Sequence, residues 1–359
     1  MKDPKIWLAL VLVSILVVVI LLVNSKAGGA NSSERVNLVV WGLASGEETR
    51  GLDKAVALFE ETHPNIKVIR LNMAAGGMDP QKLMTSIAGG VPPDVIFQDR
   101  FTIGDWASRG AFRPLDDLIQ REGVKPSDFY PACWDEATYE GKVYAIPYST
   151  DDRVLYWNKD VFRAAGLDPE KPPKTWSELE WMAKKLTVKA EESDSYKTIG
   201  FIPNYGNCFL YMYGFLNDGH FMSEDGRKCT LNDPAISDAL AWMVKLYDDL
   251  GGAKNINAFQ SGFQPQANDP FYTGKVAMKL DGNWVLNMTA RYAPNVKFGV
   301  APAPVPDARY RGEGRFKGLP QFITWSGGHS LAIPMGSLHT EEAWAFVRWM
   351  TSLDGIIPM

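Results

Sequence analysis

Between Val36 and Phe97 the chain alternates between short apolar runs and segments whose apolar residues recur at helical spacing. Val36–Trp41, Ile66–Leu71 and Asp94–Phe97 read as strands. Between the first two, Leu52, Ala55, Val56 and Phe59 mark one face of a helix that stops at His63-Pro64. Between the second and third, Asp79-Pro80 supplies a cap and a first-turn proline ahead of Leu83, Met84 and Ile87, and Gly89-Gly90 ends that helix. A strand–helix–strand succession folds back on itself through right-handed crossovers, so it dictates an α/β fold with a mostly parallel sheet.

From Asp160 the pattern becomes more helical. Thr175-Trp-Ser-Glu178 has capping-box spacing and opens a helix carrying Leu179, Met182 and Leu186. Asp233-Pro234 opens another, with Ile236, Leu240, Met243, Tyr247 and Leu250 as its apolar stripe. Val276–Leu280, Lys297–Val300 and Ser330–Ile333 read as strands, and a helix follows from about Thr340 to Thr351. With 359 residues, at about 150 per domain, the chain has room for two α/β lobes. Their connection is expected near Ile146–Asp152.

The run Ile6–Val23 carries no charge and follows Lys2 and Lys5, so its N-terminal end is expected to stay in the cytoplasm. Its length exceeds a signal-peptide core and just reaches a membrane span, while Ser25-Lys26-Ala27 offers a weak cleavage site. Residues 1–23 are therefore read as a membrane anchor or a signal peptide, and 24–35, small and glycine-rich, as a flexible linker. Either alternative exports the remainder. Of the three cysteines, Cys133 reads as a small buried hydrophobe, and a Cys208–Cys229 bridge stays open. A net charge of -5 without a basic run excludes wrapping of nucleic-acid phosphates. Twelve Trp, 13 Tyr and 17 Phe exceed the usual demand of a core and direct attention to stacking sites.

Several blocks, in order, carry a resemblance. They are Pro92-Pro93-Asp94-Val95-Ile96-Phe97, Gly141-Lys142-Val143-Tyr144-Ala145-Ile146-Pro147, Tyr156-Trp157-Asn158-Lys159-Asp160-Val161-Phe162 and Pro173-Lys174-Thr175-Trp176-Ser177-Glu178-Leu179. Gly274-Lys275-Val276-Ala277-Met278, Gly282-Asn283-Trp284, Gly327-Gly328-His329-Ser330-Leu331-Ala332-Ile333 and Glu342-Ala343-Trp344-Ala345-Phe346 continue it. Together they resemble the family 1 extracellular solute-binding proteins, the sugar receptors of ABC importers. Asp99-Arg100-Phe101 resembles a stretch of the maltose-binding proteins and leans the reading toward an oligosaccharide. The resemblance implies a two-lobe, type II periplasmic-binding fold whose lobes are mostly parallel sheets flanked by helices. An N-lobe is expected over 36–147, a C-lobe over 148–325 and a return to the N-lobe over 326–359, with crossings near Pro147–Asp152 and Phe322–Gly328. It further implies a monomer that holds a carbohydrate between its lobes, closes by hinge motion, and delivers it to an ABC permease.

Sugars present hydroxyl rims and apolar faces, so a site wants carboxylates for the rim and aromatic rings for the faces. Glu47 and Glu48 leave the first strand, and Asp99 with Arg100 leaves the third, at the strand ends where open α/β sheets place ligands. Arg100 could bind a hydroxyl or orient Asp99. Asp151 and Asp152 sit beside the expected hinge. Tyr148 and Tyr205 are candidate stacking rings or packing. Trp284 stands where the resemblance places a stacking ring. Trp325 and Gly328 lie on the second expected crossing, where glycine permits close backbone approach or hinge flexibility. Trp157, Trp176, Trp242 and Trp344 read as core.

The four histidines have no metal-ligand spacing, and no P-loop, GxGxxG or GxSxG motif occurs, so no cofactor, metal or catalytic nucleophile is expected. Two alternatives remain: an exported glycoside hydrolase pairing Asp99 with Asp151 or Asp152, and the same fold with a non-sugar ligand. The resemblance normally continues past Met359, so a C-terminally shortened lobe with an exposed core patch is expected.

Overall fold

The computed structural model describes residues 35–43, 50–71, 80–191, 195–264 and 266–357. The apolar run and the linker of 24–35, apart from Arg35, lie outside the described residues, as do Glu47 and Glu48. Among those described, no helix is long and apolar enough to cross a membrane. The strands are β1 (Val36–Trp41), β2 (Ile66–Leu71), β3 (Val95–Asp99), β4 (Ala145–Pro147), β5 (Arg153–Asn158), β6 (Val188–Lys189), β7 (Tyr196–Phe201), β8 (Val276–Gly282), β9 (Phe298–Pro302) and β10 (His329–Ala332). A two-residue hairpin, Thr138–Tyr139 with Lys142–Val143, stands apart from both large sheets. The main helices are α1 (Arg50–Thr62), α2 (Pro80–Ala88), α3 (Trp176–Leu186), α4 (Pro234–Asp249), α5 (Trp284–Tyr292) and α6 (Thr340–Met350).

The chain divides into two compact units. One comprises the described residues up to Tyr148 together with those from Ser330 onward, and the other the described residues of Ser149–His329. The first unit's sheet has the order β2-β1-β3-β10-β4. β1 runs parallel to both β2 and β3, as the strand–helix–strand alternation requires, while β10 and β4 pair antiparallel. Leu38, Val40, Phe59, Val95, Leu331 and Trp344 form the centre of its core.

The second unit's sheet has the order β9-β5-β8-β7-β6. Here the parallel expectation holds only for β8 with β7; β5 runs against both β8 and β9, and β6 against β7. β5 enters from the other unit rather than through a helical crossover, so the rule that imposes parallel pairing does not act on it. Leu155, Trp157, Phe201, Met212, Met278 and Leu246 lie in its core, with Trp176 and Trp242 stacked at 4.2 Å.

Local signals explain the helix starts. The Thr175 hydroxyl accepts from the Glu178 N–H at 3.2 Å, but the Glu178 carboxylate takes the N–H of Lys174 (2.7 Å), one residue before the cap. Asp233 caps α4 through the Ala235 N–H at 2.7 Å. The α4 stripe needs one correction. Its buried arc is centred on Ala239 and Leu246, which leaves Leu240 beyond the edge at 47% exposure beside Val244. The cysteines need another. All three are free, Cys208 buried and Cys229 exposed, so the Cys208–Cys229 bridge is not formed.

Candidate functional site

In the second unit the register of β5 against β8 sets Arg153 opposite Gly282. Beyond Gly282 the chain turns into α5, and the Trp284 ring folds back flat over the glycine. A Cβ on Gly282 would lie 2.2–2.4 Å from three atoms of that ring. Trp325 does the same at Gly327, where a Cβ would come within 2.7 Å of its ring and 3.0 Å of an Asp151 carboxylate oxygen. The missing side chains are what allow both indoles to close on the same neighbour.

That neighbour is Arg153. Its guanidinium carbon lies 4.5 Å from the Trp284 ring centroid and 4.7 Å from that of Trp325, within cation–π range of both. Arg153 is buried, ion-paired with Asp151, and its Nε donates to the Asn207 carbonyl at 3.1 Å. Asp151 also accepts the Gly327 N–H at 3.1 Å, and its own N–H donates to the Gly327 carbonyl at 3.2 Å. Ser149 and His329 continue this pairing through reciprocal backbone bonds of 3.1 and 3.3 Å. The two segments carrying Asp151 and Trp325 thus run antiparallel within the unit. Tyr211 extends the aromatic layer, its ring 5.0 Å from Trp325, and Phe209 follows at 6.4 Å from Tyr211. Burial raises the Tyr211 phenol above its ordinary value and pushes the neighbouring Cys208 thiol up strongly, so neither ionises near neutrality.

Trp284, Trp325 and Asp151, each picked from the sequence, therefore meet around one guanidinium. Asp152 is exposed. Gly328 is buried with φ +125°, a left-handed conformation that only glycine adopts without strain. The Tyr205 hydroxyl donates to Asp269 at 2.6 Å and its ring packs on Phe263 at 5.4 Å; burial first, then the Asp269 charge, raises its phenol far above the ordinary range. In the first unit, Asp99 is half-buried at the end of β3. Arg100 is buried and its Nε donates to Glu136 at 2.7 Å. The Tyr148 ring meets Phe97 edge-on at 5.3 Å, and burial raises its phenol.

Sequence reasoning missed Arg153, Tyr211, Lys279 and Asp281. The available signal was a charge inside otherwise apolar strands, Arg153 in RVLYWN and the Lys279/Asp281 pair in VAMKLDG. Among the described residues, no group of three or more His, Cys, Asp or Glu side chains could hold a metal ion.

The layer of rings around a compensated cation suits stacking against the apolar face of a polyhydroxylated ligand. Comparisons with known proteins agree with the fold. A family model described as "Bacterial extracellular solute-binding protein" matches residues 44–355. The maltooligosaccharide ABC transporter solute-binding lipoprotein of Streptococcus pneumoniae (strain R6) is 27% identical over 343 residues, covering 92% of this chain and 71% of that protein. CpMnBP1, solved with mannobiose bound, is 32% identical with a TM-score of 0.76 over 88% of this chain and 78% of its own. The ABC substrate-binding protein Lmo0181 of Listeria monocytogenes, in complex with cycloalternan, is 26% identical with a TM-score of 0.72, covering 88% and 75%.

Proposed function

The chain belongs to the bacterial extracellular solute-binding protein family and has the two-lobe, type II periplasmic-binding fold, and from that premise we propose that it binds a carbohydrate, an oligosaccharide, for an ABC importer. The observation that carries this reading is the Trp284–Arg153–Trp325 layer flanked by Tyr211 and Asp151. Rigid indole faces supply apolar area at low entropic cost, and carboxylates and phenols supply hydrogen-bonding groups for hydroxyls. Relatives bound to mannobiose and cycloalternan, and one named for maltooligosaccharide, support the ligand class.

In this reading Trp284 and Trp325 stack on sugar rings, and Asp151, Asp152, Tyr205 and Gly328 serve from the second unit. Asp99, Arg100 and Tyr148 serve from the first, with Glu47 and Glu48. Sugar held between the units shifts a hinge equilibrium only by its differential affinity for the closed form, and the closed monomer is what the permease engages. The receptor acts outside the cytoplasmic membrane without enzymatic chemistry. A tether formed by the N-terminal apolar run and linker would keep it near its permease at high effective concentration. Mass spectrometry of the native protein tests the tether; a mature N-terminus after Ala27 removes it.

Calorimetric titration with mannobiose, mannotriose, maltotriose and cycloalternan tests the ligand class. We expect saturable binding of at least one, weakened by Trp284→Ala. Folded protein that takes none of them overturns the carbohydrate reading. Release of reducing sugar from any of them, abolished by Asp99→Asn, would replace it with the hydrolase.

A further inference from the structure

Every residue of β8 is buried, including two that carry charge. Lys279 and Asp281 stand two apart, on one face of the strand, with 3% and 6% of their surface exposed. The Lys279 ammonium is 3.1 Å from an Asp281 oxygen and 3.9 Å from Asp269. Three rings surround it, Phe271 at 5.4 Å and Tyr205 and Tyr272 at 5.6 Å each. Asp269 is satisfied independently, accepting from the Tyr205 hydroxyl and the Phe271 N–H at 2.6 and 2.9 Å. The other oxygen of Asp281 accepts the N–H of Gly282 at 2.8 Å, and the Tyr156 hydroxyl donates to the Gly282 carbonyl at 2.9 Å.

A buried ion pair is weak evidence for stability, since burying two charges costs about what their attraction returns, but in some proteins it serves to fix geometry. Here the fixed object is the peptide at Gly282, and the Trp284 ring lies on that glycine. We infer that Lys279 is a positioning residue for ligand recognition: through Asp281 it pins the Gly282 peptide and so sets the plane of the Trp284 ring. The effect on ligand rests on the reading of Trp284 as a stacking residue; the effect on the ring does not. Arg153 holds one face of that ring, and the Lys279–Asp281 pair holds the backbone from which the ring departs.

Lys279→Met leaves Asp281 buried without its counter-charge. Asp281 must then seek water, and the Gly282 N–H loses its fixed acceptor. Lys279→Met/Asp281→Asn removes both charges and keeps an amide oxygen for the Gly282 N–H. The test uses 5-fluorotryptophan-labelled full-length protein, with the Trp284 and Trp344 resonances assigned by Trp284→Phe and Trp344→Phe. In ligand-free protein, Lys279→Met is expected to shift or broaden the Trp284 resonance while Trp344, in the first unit's core, stays put as a control of folding. The double variant is expected to return Trp284 toward its wild-type position. Mannotriose affinity should fall about tenfold or more in the single variant, comparable with loss of an aromatic anchor, and recover to within about threefold in the double.

A Trp284 resonance unmoved in folded Lys279→Met protein overturns the positioning role. If the single variant does not fold, Lys279→Met/Asp281→Ala, which removes both charges and the side-chain acceptor of the Gly282 N–H, decides: Trp284 unmoved there, with Trp344 unmoved, also overturns it. A moved and rescued resonance with unchanged mannotriose affinity sustains the positioning of the ring and overturns its part in recognition.

Discussion

Gly282→Ala is the sharpest perturbation of the site because its sign should depend on one other residue. The backbone at Gly282 does not lie in the left-handed region, so alanine is conformationally acceptable there. Judged on backbone entropy alone, the substitution would stabilise by about 0.4–1 kcal/mol. The Trp284 ring reverses that. A new methyl would sit 2.2–2.4 Å from three of its atoms, far inside contact distance, and an indole cannot bend away. Overpacking of this kind costs about 1–3 kcal/mol. Expelling the ring also breaks its cation–π contact with Arg153, about 0.5–2 kcal/mol. The net expectation is destabilisation of about 2 kcal/mol.

In a Trp284→Ala background the obstacle is gone, and the same methyl should be neutral or stabilising. Urea unfolding of the wild type, both single variants and the double variant forms a double-mutant cycle. The coupling energy is expected to exceed about 1 kcal/mol, and mannotriose affinity should drop in Gly282→Ala about as far as in Trp284→Ala. Additive effects on stability, or full affinity in Gly282→Ala, would refute the folded-back ring.

Further expectations follow from the same geometry. Asn158 caps its helix through the N–H groups of Asp160 and Val161 at 3.0 and 3.2 Å, so Asn158→Ala should lower stability by about 1 kcal/mol in urea titration. At alkaline pH, burial and then the Asp281 charge push the Tyr156 phenol up to about 12, and burial raises Tyr205 and Tyr213 well above their ordinary value. Their protonated forms favour the folded chain, so stability present below pH ~10 should fall as pH rises from there toward 12, and Tyr156→Phe should flatten part of that slope. At the acid end, burial pushes the Glu60 carboxyl up, but Lys67, the Val68 N–H and Arg35 together hold it below its ordinary value. Its stabilisation is complete above the ordinary carboxylate range and should be lost as pH drops through the lowered value; Glu60→Gln should make that acid limb shallower. A bound sugar at a hundred times its dissociation constant should stabilise by about 2.7 kcal/mol, read as a rise in melting temperature that Trp284→Ala reduces at the same sugar concentration.

Much of this was legible in the sequence, for a definite reason. Hydrophobic spacing, caps and glycine stops are local, so β1–β3, β8–β10, the helices α1–α4 and α6, the parallel pairing of β1 with β2 and β3, and the core positions of Trp157, Trp176, Trp242 and Trp344 follow from short windows of residues, whereas β5, β7 and α5 do not. The family resemblance carried by Gly282-Asn283-Trp284 also singled out Trp284. What the windows could not hold was the company each residue keeps. Leu240 fits a helical stripe, yet the arc that becomes buried is chosen by what packs on α4. Arg153, Lys279 and Asp281 look like solvent-facing charges, because a lone charge in a strand belongs in water unless a partner distant in sequence replaces that water. Asp269 lies ten residues before Lys279, and Trp284 and Trp325 lie more than a hundred residues beyond Arg153. The sequence by itself determined β1–β3, β8–β10 and the capped helices among them. Only the tertiary structure decided that two indoles close on one guanidinium and that a buried lysine pairs with Asp281 ahead of the turn to Trp284, since ion pairing and desolvation depend on distances in space that local spacing does not encode.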